Sequence, residues 1–208
     1  MNDPRLEHFC DLVTDAPVRL TAVPREEAYE RHVADALAGL PLVDATDGPI
    51  VDVGSGTGVP GLVLALVRPD RPVHLVESVQ KKAAMLREIA TRLDAGNVDV
   101  HDERAEELAR GPARDAYGLA VCRALAPPPV AVELCLPLVR EGGTLLIWAG
   151  AVDDDAVART ARAVGGDLVR IEPAPGHRRA IVVVAKTAPT PTGFPRRTGL
   201  AAKRPLAP

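Results

Sequence analysis

Residues 49 to 61, Pro49-Ile50-Val51-Asp52-Val53-Gly54-Ser55-Gly56-Thr57-Gly58-Val59-Pro60-Gly61, constrain this chain more than any other stretch. Ile50, Val51 and Val53 form a short apolar, β-branched run bounded by turn residues, the pattern of a buried parallel strand. Gly54, Gly56 and Gly58 follow at alternate positions, where a missing Cβ lets the backbone turn sharply and lets a ligand approach the main chain. Pro60 suits the first turn of a helix, which Leu62, Val63, Ala65, Leu66 and Val67 continue as an apolar stretch. A strand, a glycine turn and a helix N-terminus with free N–H donors together make a cradle for a nucleotide-containing cofactor.

The glycines alone leave the cofactor open. Gly54-x-Gly56-x-Gly58 is a spacing associated with S-adenosylmethionine enzymes, whereas Gly56-x-Gly58-x-x-Gly61 matches the dinucleotide fingerprint. The next apolar run, Val73 to Val76, ends at Glu77, an acid placed for a ribose hydroxyl pair in either case.

From residue 49 onward the periodicity alternates. Strands are expected at 50–54, 73–77, 97–101, 117–122, 143–149, 167–172 and 180–186, and helices at 60–67, 79–93, 103–110, 129–138 and 153–164. Such alternation predicts a three-layer α/β fold with a mostly parallel sheet. The last two strands are joined by too few residues for a parallel crossover, so they must be antiparallel to each other. Seven strands closing on an antiparallel hairpin describe the class I (Rossmann-like) methyltransferase sheet better than a dehydrogenase. Before this core, helices are predicted over 3–16 and 25–39, the first from the Leu6, Phe9, Cys10, Val13 stripe. After it, 187–208 holds five prolines and two glycines and is expected to form no regular element and to wrap the surface or a ligand. The chain thus divides into an N-terminal helical extension (1–48), a core (49–186) and a basic, Pro-rich tail (187–208).

Net charge is −3, which argues against nucleic acid only as an average. Beyond Glu172 there is no Asp or Glu but seven Lys and Arg residues, a +7 segment against −10 in the rest of the chain. Segregation of this kind describes a phosphate-contacting edge on an acidic body. Aromatics are only 2%, so Val, Leu, Ile and Ala must build the core. No apolar run reaches the ~18 residues that span a bilayer, and the start lacks the pattern of a signal peptide. Cys10, Cys122 and Cys135 show no metal or disulfide spacing and read as small buried hydrophobes in a reducing cytoplasm; no metal is expected.

Ligands of such sheets bind beyond the C-terminal strand ends. There, His101 to Glu106 could reach a base edge or merely start a helix. Arg123 ends the fourth strand, where a buried guanidinium needs a partner: a ligand, or a salt bridge to Asp115 or Glu133. His32 and Asp35 share a helix face, either as a surface hydrogen-bonded pair or as ligand-facing groups. Leu125-Ala126-Pro127-Pro128-Pro129 lacks the acceptor and the aromatic ring needed for amino-group methylation. Cys122 lacks the preceding proline usual in cytosine-C5 enzymes.

Taken jointly, several stretches resemble the RsmG/GidB family of 16S rRNA guanine-N7 methyltransferases. They are Leu20-Thr21-Ala22-Val23, Arg31-His32-x-x-Asp35, the 51–61 loop, Arg68-Pro69, Glu77-Ser78 with Lys81-Lys82, and Arg104-Ala105-Glu106-Glu107. Arg123-Ala124, Glu141-Gly142-Gly143 and the tail Phe194-Pro195-Arg196-Arg197-x-Gly199 with Lys203-Arg204-Pro205-Leu206 complete the set. The resemblance implies S-adenosyl-L-methionine at Gly54, Ser55, Gly56, Gly58, Val59, Ala105, Glu106 and Arg123, with Glu77 on the ribose. It implies catalytic roles for Arg123 and Arg179 at the guanine or its phosphates, and RNA contacts by Arg178, Arg196, Arg197, Lys203 and Arg204. The expected partner is 16S rRNA in the small ribosomal subunit, with no DNA and no membrane, and the expected form is a cytoplasmic monomer. Guanine N7 carries a free lone pair, so the transfer needs no general base.

The chain departs from the family in its short N-terminal segment with Arg19 for Asn, in Ala149 for a lysine, and in His177-Arg178-Arg179 near the hairpin. A paralogue acting on another RNA or a small molecule, or a non-catalytic cofactor-binding protein, are the alternatives these departures leave.

Overall fold

The computed structural model describes residues 3–173 and 179–207. Seven strands form one sheet: β1 (Ile50–Val53), β2 (Val73–Val76), β3 (Val98–His101), β4 (Tyr117–Arg123), β5 (Val139–Ala149), β6 (Gly166–Pro173) and β7 (Ala180–Lys186). Their order is β3-β2-β1-β4-β5-β7-β6. The first five run parallel, while β7 is antiparallel to both its neighbours, β5 and β6. The hairpin inferred from its short connection is present, with the chain's last strand wedged inside the sheet.

Strand alternation divides the apolar side chains between two faces. Ile50, Leu75, Leu119, Val121, Leu146 and Trp148 join one core with the N-terminal helices. Val51, Val53, Ala120, Cys122, Leu145 and Ile147 join the other. The first core is covered by α1 (Pro4–Thr14), α2 (Arg25–Ala28), α3 (Asp35–Leu37), α4 (Leu40–Asp44), α5 (Gly61–Val67) and α6 (Gln80–Arg92); the second by α7 (Ala105–Leu108), α8 (Pro128–Cys135) and α9 (Asp154–Ala163). This is the three-layer α/β fold. Asp3 caps α1 by accepting from the Arg5 N–H, and its predicted stripe is fully buried.

Between α2 and α3 the helix continues from Tyr29 to Ala34 in π geometry. Helix α4 was not expected, since the second predicted helix ended at residue 39. Pro41 is tolerated in the first turn. Gly39 serves a close approach: a Cβ there would lie 2.3 Å from the Trp148 ring. The fifth strand starts at Val139, four residues before its expected start. Its glycines form a bulge rather than a turn, since the register jumps from Tyr117↔Val139 to Leu119↔Thr144.

The tail departs from expectation in carrying a short helix, α10 (Leu200–Lys203), and wraps the surface as expected, pinned to the body. Lys186, with no side-chain exposure, donates to Asp115 Oδ1 and to the Leu136 carbonyl, each at 2.9 Å, and to Thr190 Oγ1. Arg114 donates to the carbonyls of Thr190 and Phe194. Domain boundaries at 48 and 186 therefore mark changes of element type within one packed body.

Candidate functional site

Asp52 organises the glycine loop. Its carboxylate is fully buried, and Oδ2 accepts from the Gly61 N–H at 2.9 Å, tying β1 to the start of α5. A Cβ on Gly61 would lie 2.6 Å from that carboxylate, so only glycine lets the helix start so close to the strand. Burial without a charged partner raises the Asp52 pKa to about 7, against the lowering effect of the Gly61 N–H. Between them, Gly54 (φ 71), Gly56 (φ 53) and Gly58 (φ 86) make the bend. Ser55 closes it from inside, its hydroxyl donating to the Asp52 carbonyl.

Beyond the ends of β1, β2 and β4 lies an open cleft of about 440 Å³. The glycine bend lines it with Gly54, Ser55, Gly56 and Val59, together with Glu77, Lys82, Arg123 and Arg179. Glu77 is mostly buried. Its Oε2 accepts from the Gly56 N–H at 3.1 Å and its Oε1 from the Val79 N–H at 2.7 Å, which leaves further lone pairs facing the cleft.

Arg123 is held from the N-terminal extension. Its Nη1 donates to the Arg31 carbonyl and to Asp35 Oδ2, both at 2.8 Å, and its Nη2 lies 3.0 Å from His32 Nδ1. Neither expected salt bridge forms, because Asp115 is taken by Lys186 and Glu133 by Arg196. The His32–Asp35 pair is not a surface feature either; both are almost entirely buried once the extension docks on the sheet. Burial, then the charge of Arg123, pushes the His32 pKa down to about 4. His32 is therefore neutral near pH 7, accepts at Nδ1 and donates from Nε2 to Thr21 Oγ1 at 3.0 Å. Asp35 also lies 3.9 Å from Arg179 Nη1.

Not every candidate meets in this cleft. Gly58 is packed among Leu62, Leu86 and Phe9. Ala105 and Glu106 line a separate small pocket of about 50 Å³ that shares only Gly54, Ser78 and Leu125 with the cleft. Leu125 is the divider, its Cδ1 lying 2.5 Å from where a Gly54 Cβ would be. Arg196 makes a two-pronged ion pair with the buried Glu133, while the side chains of Arg197, Lys203 and Arg204 project from the tail surface. Arg178 lies outside the described residues. Sequence reasoning did not place Thr21, Lys82 or Leu125 in the site; a loop residue, or a lysine in the first turn of a helix, carries no local signal of what it will face.

A second polar cluster, His74, Asp99 and His101, sits on the β2–β3 edge. His74 Nδ1 and His101 Nε2 are 3.0 Å apart, with ring centroids at 5.2 Å and planes 13° apart. Rings so placed meet edge to edge and share one N–H···N bond. One ring's N–H points at the other ring's lone pair, a hydrogen-bonded histidine pair.

The sheet order, with its reversed final strand and a glycine cleft at the strand ends, defines a class I methyltransferase fold. Solved structures agree: cofactor-bound Rv0187 from MTB superimposes with a TM-score of 0.60 at 19% identity, covering 90% of this chain and 91% of that one. The O-methyltransferase TomG from Streptomyces achromogenes, in complex with SAM, also gives 0.60, at 15% identity over 90% of this chain and 92% of its own. Within that class the chain belongs to the GidB family, described as rRNA small subunit methyltransferase G, which it matches over residues 5–171. The ribosomal RNA small subunit methyltransferase G of Roseiflexus castenholzii is 42% identical over 197 residues, 91% of this chain and 84% of the relative. The Moorella thermoacetica enzyme of the same name is 37% identical over 213 residues, covering 97% and 89%.

Proposed function

We propose that this chain is an S-adenosylmethionine-dependent methyltransferase that modifies N7 of a guanine in the 16S RNA of the small ribosomal subunit. Family membership supports the RNA substrate. The observation that carries the chemistry is one cleft joining the glycine bend to a fixed arginine. Its donor set fits the cofactor: the Gly54–Gly56 backbone admits close approach, and Glu77 offers acceptors for a ribose diol. We assign the adenine side to Ala105 and Glu106, which line the small pocket next to Leu125.

When bound, S-adenosylmethionine supplies an electrophilic methyl carbon on a sulfonium. The protein's part is then alignment and exclusion of water. Guanine N7 has a lone pair and no proton, so no base is required. Arg123 must spare that lone pair: a donor on N7 would block the transfer. Its productive contact is therefore O6, with Arg179 and Lys82 near the phosphates. Cys122 is fully buried and takes no part.

We read the protein as a monomer acting in the cytoplasm. Among the described residues only Val79, Val169 and Leu206 are large, apolar and exposed, which leaves no extended apolar patch for self-association; light scattering is expected to give a single-chain mass. No helix among the described residues is long and apolar enough to cross a membrane.

The test is transfer of labelled methyl to small subunits lacking the modification, followed by strand scission specific for 7-methylguanine. Label at one guanine of 16S RNA is expected. Cofactor binding without RNA labelling would overturn the proposal. Arg123→Ala is expected to lower transfer at least ~100-fold, the scale of losing substrate alignment, while thermal unfolding stays cooperative.

A further inference from the structure

Every acceptor that fixes Arg123 comes from the same helical rod. In an uninterrupted α-helix the Asp35 N–H closes on the carbonyl of Arg31, four residues back. Here it closes on Glu30, because the rod has π geometry from Tyr29 to Ala34. The Arg31 carbonyl, released from that bond, accepts Arg123 Nη1 instead. A π turn costs helix regularity and recurs where function uses the displaced groups.

The same turn presents His32 and Asp35 to the guanidinium, and both are anchored from behind. The Asp35 carbonyl accepts from Trp148 Nε1 at 2.8 Å. The Nε2 of His32 is bonded to Thr21, whose oxygen also accepts from the Val23 N–H at 3.0 Å. Of the five Arg123 N–H donors, three are engaged. The Nε–H and the second Nη2–H meet no acceptor among the described residues, although the side chain is only 9% exposed. A guanidinium clamped on one side, with two donors left over, is a preset probe for a carbonyl oxygen.

We infer that His32 and Asp35 are positioning residues: they lock the plane of the Arg123 guanidinium so that its two remaining donors face the O6 edge of the substrate purine. This rests on the proposed role of Arg123 in substrate alignment. A purely structural ion pair between extension and sheet would need Asp35 but not an acceptor at His32 Nδ1.

Two amide substitutions of similar polarity separate these accounts. In His32→Asn the side-chain oxygen falls near the position of Nδ1 and can still accept from Arg123. In His32→Gln the amide falls near Nε2, where its NH2 can still donate to Thr21, but no acceptor remains for Arg123. His32→Asn is expected to keep kcat within about threefold of wild type. For His32→Gln a fall of about 10- to 100-fold is expected, with KM for the small subunit and calorimetric affinity for S-adenosylmethionine within about twofold. A second readout is independent of turnover. In side-chain ¹⁵N spectra, the Arg123 Nη signals, assigned by their loss in Arg123→Lys, should be resolved in wild type and His32→Asn. In His32→Gln they should be averaged by rotation.

Equal behaviour of the two variants in both readouts, or the reverse order, would refute the positioning role. If Arg123→Lys transfers normally, it is the substrate-facing reading of Arg123 that fails. The ¹⁵N spectra would still report whether His32 holds it.

Discussion

Asp52 and Arg123 show how far a single residue can be understood from its place in the chain. Arg123 was legible as a buried cation needing a partner, because it ends the fourth strand. The partner itself was not, since Asp35 lies 88 residues away and comes to Arg123 only through docking of the extension. The Asp52 carboxyl titrates at about 7 in the folded chain, above the roughly 4 expected once unfolded. Its contribution to stability is complete below about pH 4 and is lost as pH rises toward 7. Asp52→Asn keeps the acceptor for Gly61 without the charge. From pH 5 to pH 8, the variant is expected to gain about 2–3 kcal/mol of unfolding free energy relative to wild type. Urea titrations at the two pH values measure this, and an unchanged difference would show that Asp52 does not titrate in that range.

Regular elements were read well where an apolar period or a glycine cue was local. The glycine loop and the seven strands followed from such signals, and the closing hairpin from the shortness of its connection. Elements set by distant packing were missed: α4 depends on Trp148 lying over Gly39, and the early start of β5 depends on pairing with Tyr117. The tail is the clearest case. Arg196 read as an RNA contact on a tail without regular structure, yet it is the counter-ion of Glu133, whose side chain is only 3% exposed. Removing the arginine strands a buried carboxylate. Arg196→Ala is therefore expected to destabilise the fold by about 3 kcal/mol, and Glu133→Leu in the same chain to recover much of it; urea unfolding checks both. Full additivity of the two substitutions would deny the coupling.

For the molecule as a whole, the uneven charge sets how it meets RNA. With Arg196 engaged internally, Arg197, Lys203 and Arg204 remain on the tail, next to the small pocket that the Gly199 N–H reaches through Glu106. Replacing these three by alanine is expected to flatten the dependence of log affinity on log salt by about 2 units, at roughly 0.7–0.9 per phosphate contact. Filter binding to small subunits at several salt concentrations measures it, and affinity for S-adenosylmethionine should not change.

The position of β7 has a further bearing on how the protein is made. A ribosome releases the segment that fills the gap between β5 and β6 only after both of the strands it must join. Until it arrives, β5 is left as an open margin, and nothing upstream can supply the missing partner. Closure of the sheet thus waits for a strand that follows both of its neighbours in the chain, and a polypeptide that stops before Ala180 keeps an unpaired β5 edge with no place for β6.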